Sequence, residues 1–377
     1  MELSNKAARL LTAIAIIGAT LYPAAPALAD QTRDDQWHLR YLDLTRAHRV
    51  TTGSGATVAV TDSGVFPHRD LAKNLKKGAD TSSGTGGVSG QTDKVGHGTN
   101  MAGLIAGHGH NTGDGALGIA PAAALIPIKV TGARDNGLGL ASGIEWATTT
   151  GADVINISAT APSSRPLSEA ITAAVRADIV VVAGTGNKSE NIRLAYPAAL
   201  PEVLAVGAVD RDGKIAEFSV TGSKVGICAP GVDIVTTGLN NNYDRVDGTS
   251  AATAIVSGAA ALVRAKFPDL SAEEVIHRLT ATADDNGPPG RDDQCGFGVL
   301  NVVKALTADV PPLEGDATAP ASASAAAPSV AGSATAAPDV KSDESNSVPV
   351  IAGAVGGIAA LGVLLAFLVR RRRRPTA

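Results

Sequence analysis

Three residues of the chain carry the groups that acyl transfer by a side-chain nucleophile needs: a hydroxyl, an imidazole and a carboxylate. Asp62 closes the apolar run Val58-Ala59-Val60-Thr61 and is followed by Ser63-Gly64-Val65, which puts its carboxylate where a buried strand reaches the edge of a sheet. His97 lies between Gly96 and Gly98, ahead of a helical stretch, and glycines there let the backbone come close to other elements. Ser250 sits in Asp247-Gly248-Thr249-Ser250-Ala251-Ala252, at the start of a long apolar helix. The unpaired amides and positive dipole end of such a helix suit a developing oxyanion. Each residue alone has an ordinary structural explanation, since Asp ends strands, His occupies Gly-rich loops and Ser caps helices. The order Asp, His, Ser, each in its own local context, makes them a set.

The elements that must position this set follow from the pattern around it. Short apolar, β-branched runs recur at Thr57 to Thr61, Leu125 to Val130, Val154 to Ile157, Ile179 to Ala183 and Val203 to Val206. Apolar throughout and bounded by Gly, Pro or Asp, they predict strands buried on both faces. Ala-rich helical patterns lie between and after them, at about Thr99 to Ala106, Ser142 to Thr150, Pro166 to Ala177, Ser250 to Lys266 and Ser271 to Ala281. Strands alternating with helices predict an α/β fold, a mostly parallel sheet covered by helices on both faces. Chemistry in such sheets gathers at the carboxyl ends of strands and at the helix N-termini facing them.

The residues around the three resemble the motifs of the subtilisin-like serine proteases, whose chain order is also Asp, His, Ser. Val58-Ala59-Val60-Thr61-Asp62-Ser63-Gly64-Val65 is similar to the family's Asp motif, Gly96-His97-Gly98-Thr99 to its His motif, and Gly248-Thr249-Ser250-Ala251-Ala252-Thr253 to its Ser motif. A fourth segment, Val180-Val181-Val182-Ala183-Gly184-Thr185-Gly186-Asn187, resembles the strand and turn that supply the oxyanion-hole asparagine. The resemblance runs from about Trp37 to Leu306 and implies a subtilisin-like three-layer fold. It implies that Ser250 attacks the scissile carbonyl, that His97 takes its proton and returns it to the leaving amine, and that Asp62 fixes the imidazole tautomer. The Asn187 amide and the Ser250 backbone N–H would hold the tetrahedral oxyanion. Loss of one such donor costs roughly 10² to 10³ in turnover, a magnitude known from subtilisin itself.

The same resemblance places substrate binding. Val154-Ile155-Asn156-Ile157-Ser158 is similar to the strand whose end pairs with an extended peptide, so Ser158, Ala159 and Thr160 would form one cleft wall by β-augmentation. Asn136 and Gly137 would form the opposing edge. Ala159-Thr160-Ala161 stands where the family usually has Leu-Gly-Gly, and the β-branched Thr160 in place of Gly implies a narrowed or reshaped primary pocket, with a small primary residue as the expectation. Beside the nucleophile, Ala251 replaces a larger Met or Phe and Ala254 replaces Pro; neither change removes a reacting group.

Composition and charge limit the other classes. The 377 residues are 44% hydrophobic and 18% charged, with only 3% aromatic, so a core of Val, Ile, Leu and Ala is expected and a disordered chain is not. The formal net charge of −4 conceals one net positive charge in residues 1–29 and five in Arg370 to Arg374, which leaves the body at −10. An acidic body argues against nucleic acid as a partner, for which a basic stripe would be needed. His108-Gly109-His110 with Asp114 matches no common zinc spacing and is read as a solvated Gly-rich loop, so no metal site is assigned. No cofactor is required by the chemistry; family members bind calcium through loop carbonyls that leave little trace in a sequence. The two cysteines allow either one disulfide, Cys228 to Cys295, or two buried thiols.

The ends set the location. Residues 1–29 combine Lys6 and Arg9, an apolar stretch from Leu10 to Leu21 and Ala27-Leu28-Ala29, the three-part pattern of a secretory signal peptide cut after Ala29. The domain of residues 30–310 follows, then a Pro/Ala/Ser-rich tether over 311–347. Val348 to Val369 is an uncharged run long enough to span a bilayer as one transmembrane helix, and the basic tail 370–377 would stay in the cytoplasm. Asp30 to Gly55 is too short for a folded inhibitory propeptide. That short segment, the C-terminal span and the Arg tail resemble the mycosins, membrane-anchored subtilases linked to type VII secretion in actinobacteria. The resemblance implies a serine endopeptidase facing outward from the cell membrane, with polypeptide substrates and the secretion complex as partners. The other reading is a structural subunit that stabilises such a complex.

Overall fold

The five apolar runs, with one further strand at each edge, form a seven-stranded parallel sheet in the computed structural model, which describes residues 31–82, 89–111, 113–130 and 137–313. Residues 1–30, Asn136 and residues 314–377 lie outside the described residues, and with them the expected signal peptide, the tether beyond Leu313, the apolar run 348–369 and the tail 370–377. Among the described residues, no helix is long and apolar enough to cross a membrane.

Three short helices come first: α1 (Gln31–Asp35), α2 (Trp37–Tyr41) and α3 (Leu44–Val50). The main sheet is built from β1 (Thr57–Asp62), β2 (Ala79–Asp80), β5 (Ala124–Lys129), β6 (Val154–Ile157), β7 (Val180–Gly184), β8 (Leu204–Val209) and β9 (Val225–Pro230). Its order is β2-β5-β1-β6-β7-β8-β9, every pair parallel. Side chains alternate across it. Val58, Val60, Val180 and Val182 point into one apolar layer with α4 (His97–Ala106) and α7 (Thr249–Lys266). Ala59, Ile155, Ile157, Val181 and Ala183 point into the other, with α5 (Leu138–Thr148) and α6 (Arg165–Arg176). Strands sandwiched in this way have no polar face to present, which is why they read as continuous apolar runs.

Two hairpins stand outside the main sheet: β3 (His108–His110) with β4 (Asp114–Leu117), and β10 (Ile234–Thr237) with β11 (Tyr243–Val246). The first corrects the expectation of a solvated loop at 108–114, because Gly109 is buried and both flanking histidines are half-buried. Helix α5 begins four residues before the expected Ser142. Gly139 in its first turn reads as a helix breaker, yet a Cβ there would lie 2.3 Å from the Val130 carbonyl oxygen, so the close approach requires it. The remaining helices, α8 (Ala272–Ala281) and α9 (Val302–Thr307), pack against α7. Ser271 and Glu274 form a reciprocal capping box at the start of α8, a device worth about 1 kcal/mol.

The N-terminal segment is tied to the domain on the side of the hairpins. Buried Gln36 bonds Leu117 on both atoms of its peptide and the Val235 carbonyl, and the Trp37 indole donates to the Val232 and Asp233 carbonyls. Cys228 on β9 is joined to Cys295 by a disulfide within a small apolar cluster with Val209 and Val299.

Candidate active site

Asp62 is the last residue of β1, the third strand from one edge of the sheet, and its carboxylate is buried. His97 is the first residue of α4. Its Nδ1 lies 2.8 Å and 2.9 Å from the two oxygens of Asp62. Asp62 Oδ1 also accepts from the Ser63 amide at 2.7 Å, which fixes the carboxylate plane. Two glycines permit this approach. Gly64 has φ +97°, and a Cβ on Gly98 would lie 2.1 Å from the Gly64 carbonyl oxygen and 3.0 Å from the Asp62 Cβ.

The Asp62 carboxylate faces the ring, so its charge favours the imidazolium and pushes the His97 pKa above its ordinary value. Burial opposes this, while the hydrogen bond to Asp62 and the charges of Asp93 and Glu190 add to the upward shift.

Ser250 is the second residue of α7, so its backbone N–H belongs to the first turn, where no helix carbonyl can reach it. Asn187 lies just past β7. Its Oδ1 accepts from the Thr249 amide at 3.2 Å and lies 3.4 Å from the Thr249 hydroxyl, which turns the NH₂ group the other way. The position between the two donors is kept open by Gly248, at φ +151°. A Cβ built there would lie 3.6 Å from the Ser250 nitrogen and 3.8 Å from Asn187 Nδ2. These are the groups that could hold a carbonyl oxygen as it becomes an oxyanion.

His97, Ser250, Asn187, Ser158, Ala159 and Thr160 all line one cavity of about 280 Å³. In this structure the Ser250 hydroxyl donates to the Ser158 carbonyl at 3.3 Å, and no hydrogen bond joins it to His97. The wall segment is braced from below: Ser158 Oγ donates to the Ser250 carbonyl at 3.1 Å and accepts from Asn156 Nδ2 at 3.1 Å, and Ser257 bonds Asn156 Oδ1 at 3.0 Å. Gly137, at φ +82°, stands at the start of α5 beside Ala161 and Pro162 and does not line this cavity; Asn136 is outside the described residues.

Several participants carry no motif in the sequence. Asn156 lies in the middle of an apolar strand, and Glu190 and Asp247 add carboxylates to the cavity wall. Asp93, four residues before His97, accepts hydrogen bonds from both sides of the Asp62–His97 pair. A lone Asp just ahead of a helix is the sequence signal that could have pointed to it. A larger cavity of about 540 Å³, bordered by Tyr41, Asp43, Arg46, Asp284 and Lys304, contains neither serine nor histidine and offers no comparable chemistry. No group of three or more potential metal ligands occurs among the described residues.

Comparison with known proteins gives the same picture. The Peptidase S8 family model, described as the subtilase family, matches residues 53–298. Subtilisin DY of Bacillus licheniformis is 41% identical over 261 residues, which are 67% of this chain and 91% of that protein. Subtilisin Savinase of Lederbergia lenta is 40% identical over 273 residues, 71% of this chain and 97% of that one. Among solved structures, MycP1 with its N-terminal propeptide removed aligns with a TM-score of 0.65 at 32% identity, covering 73% of this chain and 98% of that one. MycP1 from Mycobacterium smegmatis aligns with a TM-score of 0.65 at 30% identity over 77% and 87% of the two chains. MycP3 of the type VII (ESX-3) secretion system gives 0.63 at 33% identity over 76% and 90%.

Proposed function

The chain belongs to the subtilase family and is a subtilisin-like serine endopeptidase, and we propose that it cleaves exported or cell-surface polypeptides through Asp62, His97 and Ser250 in connection with type VII secretion. The observation that carries this reading is the shared cavity: an imidazole held on both oxygens of a buried carboxylate opens onto the space that also contains Ser250 and Asn187.

A peptide entering the cleft pairs with the extended segment Ser158–Thr160. A backbone N–H of the peptide takes the Ser158 carbonyl in place of the Ser250 hydroxyl, and the hydroxyl turns to His97. His97 takes the proton as Ser250 Oγ attacks, and the oxyanion is held by Asn187 Nδ2 and the Ser250 N–H. Collapse of the tetrahedral intermediate expels the amine with the proton from His97 and leaves the acyl chain on Ser250. Water, deprotonated by the same imidazole, then releases it. Thr160 at the wall narrows the primary pocket and favours a small residue there.

The location is read from the sequence: a signal peptide over 1–29, the peptidase domain 30–310 on the outside, the tether 311–347, one membrane helix at 348–369 and the cytoplasmic stub 370–377. Structural relatives whose names tie them to type VII secretion, MycP1 and MycP3, support the assignment to that system. The test is labelling of the purified full chain with a fluorophosphonate, against Ser250→Ala. We expect labelling of the wild type alone; equal labelling of both would overturn the enzymatic reading.

A second reading, a structural subunit of the secretion complex, is favoured by one observation, the engagement of the Ser250 hydroxyl with Ser158 rather than with His97. It predicts that Ser250→Ala supports normal secretion in the host whereas deletion of the chain does not.

A further inference from the structure

The Asp62–His97 pair joins two segments that are 35 residues apart in sequence, the end of β1 and the start of α4. One buried carboxylate outside the pair touches both. Asp93 Oδ1 accepts from the Ser63 hydroxyl at 3.0 Å, from the Val95 amide at 2.9 Å and from the Gly96 amide at 2.9 Å. Its Oδ2 accepts from the Thr99 amide at 3.1 Å and the Thr99 hydroxyl at 2.7 Å. Among the described residues no lysine or arginine pairs with it, so its charge is stabilised by these five donors and reaches beyond them.

An ordinary helix cap bonds only its own helix. Asp93 also takes the hydroxyl of Ser63, and that hydroxyl in turn accepts from the Gly98 amide at 2.9 Å. The Ser63 amide is the one that fixes Asp62 Oδ1. Gly96 and Gly98 flank His97. Every connection of Asp93 therefore ends within one residue of Asp62 or within two of His97.

We infer that Asp93 is a positioning residue for proton transfer, locking the strand end that carries Asp62 to the helix start that carries His97 and adding a second negative charge behind the imidazole. This rests on the reading of Asp62, His97 and Ser250 given above. The carboxylates whose charge acts on the ring are Asp62, Asp93 and Glu190, with Asp247 on the wall of the same cavity, and after Asp62 the charge of Asp93 is the largest of these influences that favour the imidazolium.

Asn is the informative replacement. Whichever way its amide is turned, the NH₂ faces a backbone N–H, either the Val95 and Gly96 pair or that of Thr99. In the full chain purified in detergent, Asp93→Asn should lower kcat per fluorophosphonate-titrated serine about 10- to 100-fold with KM nearly unchanged. His97 acts as a base only when neutral. Loss of a nearby negative charge lowers its pKa, so the acid limb of the kcat/KM profile should move to lower pH by about half a unit. Asp93→Glu keeps the charge with a longer reach. Its acid limb should stay in place while kcat remains depressed, and this separates the electrostatic part of the role from the geometric part.

A purely structural role would lower the melting temperature and leave both kcat per titrated serine and the pH limb as in the wild type; that result overturns the proposal. If Asp93→Asn does not fold, Ser63→Ala decides, because it removes only the link between strand and helix, and an unchanged kcat there is equally fatal. A wild-type chain that fails to label overturns the reading of the site and this proposal with it. A labelling wild type beside an Asp93→Asn chain of identical profile overturns this proposal alone.

Discussion

Two aspartates buried in the same domain each hold a histidine, and only one of the two pairs faces a serine. Asp62 meets His97 Nδ1 at 2.8 Å, and Asp70 meets His110 Nδ1 at 2.6 Å, so by distance alone the second pair is the closer. What differs is everything around them. The remaining oxygen of Asp70 accepts from the Tyr243 hydroxyl at 2.9 Å and the Ala116 amide at 2.9 Å, which ties the segment after β1 to β4 and β11. His68 stacks edge-on against Tyr243, with its Nδ1 accepting the Asp70 amide at 3.0 Å and its Nε2 donating to the Asn242 carbonyl at 3.1 Å. Both Asp70 oxygens and both His68 ring nitrogens are engaged in holding these segments together. His97, by contrast, is 39% exposed and opens onto a cavity that holds Ser250 and Asn187. A carboxylate–imidazole pair is thus an economical way to tie a fold together, and it becomes chemical machinery only where the far ring nitrogen meets an open cleft and a nucleophile.

The widest separation between the pairs is expected from the same substitution in each. Asp62→Asn should lower kcat about 10⁴-fold, because the amide stabilises the wrong tautomer of His97 and no longer compensates the imidazolium. Asp70→Asn should leave kcat within a few-fold and instead cost about 3 kcal/mol of stability, since a fully buried carboxylate loses its place among three donors. Steady-state kinetics and thermal melts of both variants check this. A large loss of kcat per titrated site in Asp70→Asn would erase the distinction.

Asn187→Ala comes next. It should lower kcat about 10² to 10³-fold, the loss seen at the corresponding subtilisin donor, with no comparable effect on folding. The Asp70 knot has no counterpart to this residue. Asp62, Asn187 and Ser250 were legible in the sequence because each sits in a local motif that the backbone dictates: a strand end, the turn after a strand, the Gly-flanked start of a helix. The knot was not. Asp70 and Tyr243 are 173 residues apart and meet only because β11 pairs with β10, and a strand reading Tyr243-Asp244-Arg245-Val246 has too little apolar content to announce itself. His108 and His110 read as a loop for the same reason. Of the sheet, the five central strands were legible and the two edge strands were not, since β2 is only two residues long and Gly226 and Cys228 interrupt the β-branched pattern of β9.

The pH response should divide along the same line. His97 is held above its ordinary pKa, chiefly by the Asp62 charge, so activity should fall first on acidification, with a limb above about pH 6.5. The stabilisation this pair gives the fold runs the other way, present below the unfolded pKa and lost as pH rises through the folded one. His68 and His108 are both held below their ordinary pKa, first by burial, and His38, fully buried, is pushed down to about 3. Their contribution is present above about pH 6.5 and lost as pH falls through the lower folded values. Kinetic profiles and melts from about pH 8 to about pH 4 should therefore show inactivation of an intact fold before acid unfolding. Coincidence of the two transitions would mean that the pairs are not independent.

The smallest effect is the most telling about what an imidazole is for. An Asn side chain can place its NH₂ close to where a histidine carries Nδ1, so it can keep a hydrogen bond to the aspartate, but it has nothing in the position of Nε2. At His110 the bond to Asp70 Oδ1 is the part that ties β3 to the knot. His110→Asn should therefore cost about 1 kcal/mol or less and leave kcat unchanged. At His97 the same replacement keeps the bond to Asp62 and removes the base proposed to receive the Ser250 proton, so turnover should vanish while the melting temperature hardly moves. Denaturant unfolding of the two variants beside their kcat values makes the comparison. If His110→Asn were as damaging to turnover as His97→Asn, the far nitrogen of His110 would have to be doing chemistry, and the division between the two pairs would rest on nothing but their address in the fold.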